Sequence, residues 1–117
     1  MNIGAFAQSS LPLYKNPLLS VDERVKDLLS RMTLEEKVGQ LLSPLGWEMY
    51  EIKDDEVYPS EKFKKLIKEK HAGMLWATYR ADPWTRKTLE NGLRPELAAK
   101  AGNALQKYAI ENTRLGI

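Results

Sequence analysis

Three places in this sequence carry residue types that do chemistry. His71 is the lone histidine, and an imidazole titrates near neutral pH as a general base would. Asp54-Asp55-Glu56 is a run of acids, the kind that can hold a cation. Tyr79-Arg80-Ala81-Asp82-Pro83-Trp84 sets aromatic rings beside a guanidinium and a carboxylate. The acid run lacks the ligand spacing and closing acid of a calcium loop, so a solvated loop is the plainer reading. In the third place Asp82 caps and Pro83 takes a first helical position, which predicts a short helix to about Asn91 that Gly92 stops.

The elements around these residues set their positions. Ala72–Tyr79 is apolar without alternation and predicts a strand covered on both faces. A helical pattern precedes it from Glu61 to Lys70, and another follows from Pro95 to Arg114. Helix, strand, helix is one step of an α/β fold. A single strand leaves peptide groups in need of a neighbour. His71 then sits at the strand's N-terminal end, whereas chemistry in such folds gathers at the C-terminal ends.

Upstream, Ser20 to Glu23 fits a capping box, and Thr33 to Glu36 repeats it, so two short helices meet at a bend. Val21, Val25, Leu28, Leu29 and Met32 form one apolar stripe, and Leu34, Val38, Leu41 and Leu42 the second. Gly39, without a side chain, lets another backbone come close. Residues 45–59 read as a long connection, and Ser60 caps the helix that follows. Residues 1–19, with Pro12 and Pro17, read as an extended arm that Tyr14, Leu18 and Leu19 can pin. Trp47, Trp76 and Tyr108 read as core.

With 18 basic and 16 acidic residues the charge is too balanced for a nucleic-acid partner, and the lysines alternate with glutamates on helix faces. No apolar run approaches the ~20 residues of a membrane span. There is no cysteine, hence no thiolate metal site, and no cofactor is indicated. Ala5-Phe6-Ala7 before Gln8 looks like the small-x-small end of a secretory signal, which points to a periplasmic or secreted protein; a plain tail is the competing reading.

Arg31-Met32-Thr33-Leu34-Glu35-Glu36-Lys37-Val38-Gly39-Gln40-Leu41, with its lead-in Leu28-Leu29-Ser30, resembles the opening helix signature of glycoside hydrolase family 3. Gln106-Lys107-Tyr108-Ala109 and Asn112-Thr113-Arg114-Leu115-Gly116-Ile117 resemble that family's helix before the second barrel strand. The resemblance runs over roughly residues 14–117. It implies an α/β fold in which residues 20–117 are the first part of a (β/α)₈ TIM barrel, with the strand near 72–79. An α/β sandwich domain would follow. It further implies a retaining exo-acting β-glycosidase that takes β-linked glucose, xylose or N-acetylglucosamine from glycosides and oligosaccharides. The family's nucleophile, acid/base and sugar-gripping aspartate all lie beyond these residues. The resemblance therefore implies a fragment that is inactive alone and is partnered by the rest of the barrel or by itself. In that frame Tyr79, Arg80, Asp82 and Trp84 fall in the first βα loop, where rings pack on sugar C–H faces and Arg donates to hydroxyls. A competing reading has Arg80 pairing with Asp82 while Tyr79 and Trp84 cover the barrel end. Two non-catalytic readings stand beside the hydrolase: a small helical interaction module and an independent sugar-binding module.

Overall fold

Residues 11–88 and 94–117 are described by a computed structural model. The signal-like Ala5–Ala7 and the expected helix stop at Gly92 lie outside the described residues. The chain packs as two units, one ending at Met32 and the other spanning Thr33–Ile117.

In the first unit a 3₁₀ turn, Leu13–Lys15, leads to helix α1, Val21–Arg31. The Ser20 hydroxyl accepts from the Glu23 N–H (3.3 Å), and Glu23 accepts from the Ser20 N–H (3.0 Å), closing the capping box. Tyr14 pins the arm: its N–H donates to Asp27 (3.0 Å) and its carbonyl accepts from Arg24 Nε (2.9 Å). Leu18 does not share in this, being exposed. The expected stripe on α1 is largely uncovered, with Val21, Val25 and Leu29 all exposed.

The second unit opens with another complete capping box, in which Glu36 N–H meets the Thr33 hydroxyl and Glu36 accepts from Thr33 N–H. Helix α2 is short, Leu34–Gly39. It turns Glu36 and Gly39 inward and leaves Leu34, Val38, Leu41 and Leu42 exposed, the reverse of the expected stripe. Gly39 packs against the end of the next helix, where a Cβ would fall 2.6 Å from the His71 carbonyl oxygen. No side chain fits there.

Residues 45–59, expected as a connection, contain a hairpin. Strands β1 (Tyr50–Lys53) and β2 (Glu56–Pro59) pair antiparallel with Tyr50 opposite Pro59 and Lys53 opposite Glu56. Asp54 and Asp55 form its two-residue loop, both with positive φ (52° and 60°). That is the backbone of a type I′ turn, whose twist matches the strands it joins. The acid run is thus the tip of a hairpin.

Ser60 caps helix α3, Glu61–Lys70, through the Phe63 N–H, and His71 closes it in the left-handed conformation (φ 52°). Helix α4, Pro95–Asn112, begins with proline at its first position. The core joins Met49, Tyr50 and Val57 of the hairpin region to Phe63 and Ile67 of α3 and Leu97, Ala101 and Leu105 of α4. No helix among the described residues is long and apolar enough to cross a membrane.

The stretch 72–79 departs most from expectation. It forms no extended strand. It makes one isolated parallel bridge, Leu45 to Trp76, in which Gly46 N–H donates to the Trp76 carbonyl (2.7 Å) and Trp76 N–H to that of Pro44 (2.9 Å). Ala72 is its sole buried residue, while Met74 and Trp76 are 58% and 51% exposed. The physical cause is the lack of a ladder. The neighbouring stretch offers it the Pro44 carbonyl and the Gly46 N–H alone, and Ala77 leaves the extended region at φ 56°. Arg80 N–H then closes a turn onto the Ala77 carbonyl (3.1 Å).

Candidate functional site

Asp82 organises the loop after this turn. One carboxylate oxygen accepts from the N–H groups of Trp84 (2.9 Å) and Thr85 (3.0 Å). The buried Thr85 hydroxyl accepts from Asp82 N–H (3.1 Å) and lies 2.9 Å from its carbonyl. The second carboxylate oxygen takes Arg80 Nε. These contacts hold the Asp82 carboxylate below its usual range, the Thr85 N–H first and Arg80 next. The cap expected at Asp82 forms. Over residues 83–88, however, it closes turns rather than a helix.

Arg80 lies among indoles. Its guanidinium is 4.6 Å from the Trp84 ring centre and 5.9 Å from that of Trp76. Trp84 in turn leans on buried Trp47, with centroids 5.1 Å apart and planes tilted by 59°. Trp84 is 61% exposed and Trp76 51%, so both offer ring surface to a ligand. Sequence reasoning placed Trp76 in the core. The left-handed Ala77 between Trp76 and Arg80 folds the chain back and brings the two together, and nothing in the residue pattern announces it.

Of the four expected site residues, Arg80, Asp82 and Trp84 are assembled and Tyr79 stands apart. Tyr79 lines a groove of about 460 Å³ with Gln40, Met74, Leu75 and the α4 residues Gly102 and Gln106, and none of the other three lines it. A Cβ at Gly102 would lie 2.7 Å from the Tyr79 hydroxyl, so the glycine makes room for the phenol. His71 serves through its backbone: the left-handed cap of α3 and an acceptor for Gln40 Nε2 (3.0 Å).

A general acid at neutral pH needs a carboxyl with raised pKa. Among the described residues, every carboxylate with a displaced pKa is displaced downward. Arg114 does this to Glu36 and Lys62 to Glu48. No cluster of three His, Asp or Glu suited to a metal occurs among the described residues. The assembled cluster offers aromatic ring surface and hydrogen-bond donors, which suit binding by stacking and donation.

No family model matches the chain. It is similar to a protein named beta-glucosidase C from Emericella nidulans, 71% identical over 34 residues, which is 29% of this chain and 6% of that protein. It is similar to a protein named "Putative beta-xylosidase" from Formosa agariphila, 36% identical over 107 residues, 89% of this chain and 12% of that protein. The chain thus spans about an eighth or less of the length of these curated relatives. By this similarity the chain is related to glycoside hydrolases.

Proposed function

We propose that the protein to which these residues belong is a retaining β-glycosidase of glycoside hydrolase family 3, acting on β-glucosides or β-xylosides. Residues 20–117 would contribute the opening of its (β/α)₈ barrel. The observation that carries the reading is the similarity over 107 residues to a protein named as a beta-xylosidase, joined to 71% identity over 34 residues with a beta-glucosidase. The exposed apolar faces of α1 and α2 support it as well, since they present surface for further polypeptide to cover. In this reading Arg80 and Trp84 of the loop 79–84 contact substrate.

The 117 residues alone are proposed to be inactive. Retention needs two carboxyl groups about 5 Å apart, one of them an acid. The family resemblance assigns that pair to positions outside these residues. Aryl β-glucoside and β-xyloside turnover tests both halves of the proposal. The longer protein is expected to hydrolyse one of them with net retention, and the purified chain neither. No turnover by the longer protein overturns the glycosidase reading, and turnover by the chain overturns its inactivity.

A further inference from the structure

We propose that Arg80, set between Trp76 and Trp84, forms a contact site for a neutral pyranoside ring, and that Tyr79 is no part of it. The proposal deepens the glycosidase reading and rests on it for the choice of sugar. Three observations carry it. The Arg80 side chain is oriented before any ligand arrives, with Nε bound to Asp82 and the guanidinium plane near two indoles. Its terminal nitrogens make no hydrogen bond among the described residues, so they remain as donors on a fixed plane. Two half-exposed rings flank those donors.

Charge narrows the ligand. Asp82 neutralises Arg80, so the cluster has no net charge with which to attract a phosphate or a carboxylate. What remains is apolar ring surface beside hydrogen-bond donors. A pyranose ring matches this, with C–H faces for the indoles and hydroxyls for the guanidinium. Asp82 is a positioning residue here, since both its oxygens are engaged within the loop.

Tryptophan fluorescence of the chain tests the proposal, because Trp76 and Trp84 flank Arg80 and Trp47 touches Trp84. Methyl β-D-xyloside or methyl β-D-glucoside is expected to change the emission saturably. Methyl β-D-glucuronide and inorganic phosphate should bind at least about tenfold more weakly. Arg80→Met keeps the stem over the indole and removes the donors, and should weaken binding by about tenfold. Trp76→Ala removes an exposed ring and should weaken it similarly, which covers the case in which Arg80→Met fails to fold. Tyr79→Phe should leave affinity unchanged. A saturable response to neither neutral glycoside overturns the proposal. So does equal or tighter binding of phosphate or glucuronide, wild-type affinity in Trp76→Ala, or a chain lacking helical circular dichroism. Sugar binding by the chain without turnover by the longer protein would reject the hydrolase and keep this site, and turnover without binding would do the reverse.

Discussion

Arg114 holds Glu36 from 78 positions away, Nε to Oε1 at 3.1 Å and Nη2 to Oε2 at 2.5 Å. The same Glu36 oxygen accepts the Thr33 N–H at 2.9 Å and so completes the cap of α2. Each residue belongs to one of the two stretches that carry the resemblance, and those stretches are in contact through this pair. Glu36 has a side chain only 10% exposed, whereas Arg114 is 55% exposed. The pair is half-screened.

Replacing Glu36 with Ala should cost about 1–3 kcal/mol, since it removes a charge-assisted pair and the carboxylate half of the capping box, while the Thr33 hydroxyl still caps the backbone N–H. Solvent at Arg114 keeps the value toward the low end. Urea unfolding of the two chains measures it.

The pair also sets an acid limit. Arg114, above all, lowers the Glu36 pKa in the folded chain. A depressed carboxylate contributes stability that is complete above its unfolded value, about 4.3, and is lost as pH falls through the lower folded value. Wild type should therefore lose more stability than Glu36→Gln on acidification below that point, by thermal melts at matched ionic strength.

Gly39→Ala should destabilise by about 1–3 kcal/mol, because its Cβ would strike backbone at the α3 terminus rather than a side chain that can swing away. Gly102→Ala is the comparison. There the obstacle is the hydroxyl end of an exposed tyrosine, and the loss should be smaller. Melting temperatures of both variants decide the order.

Asp54→Asn with Asp55→Gly should stabilise the hairpin by about 0.5 kcal/mol, since both loop positions have positive φ and Asn-Gly suits a type I′ turn. The exposed Asp55–Arg94 pair is lost in that variant, at little cost. Chemical denaturation reads the difference.

Phe63→Ala should cost about 3–5 kcal/mol, since Phe63 is 3% exposed in the core and meets Tyr108 edge-on at 6.0 Å. That is a large share of the stability of a small domain. Loss of helical circular dichroism at room temperature is the expected readout.

Four helix starts were legible, three of them because each rests on neighbours three residues apart, whereas the start expected at Asp82-Pro83 gave turns over residues 83–88. Ser20, Thr33 and Ser60 cap where their side chains require, and Pro95 opens α4. Gly39 was legible as a close approach, though not the helix end that approaches it. The hairpin was not. Tyr50-Glu51-Ile52-Lys53 alternates over four residues only, and Asp-Asp is an uncommon pair for a turn with two positive φ angles. The stretch 72–79 misled because apolar composition records a preference for burial but says nothing of which ladder is present to receive the peptide groups. Within the site, Arg80 beside Asp82 was foreseeable from their spacing. Trp76 beside Arg80 depends on one left-handed alanine, a backbone choice that alanine itself does not advertise.

The knot that Asp82 ties with Trp84, Thr85 and Arg80 has a kinetic consequence. A surface segment shaped in advance would meet the proposed glycoside without having to search for a conformation. Encounter there should be as fast as diffusion and orientation permit, with selectivity residing in how long a ligand stays.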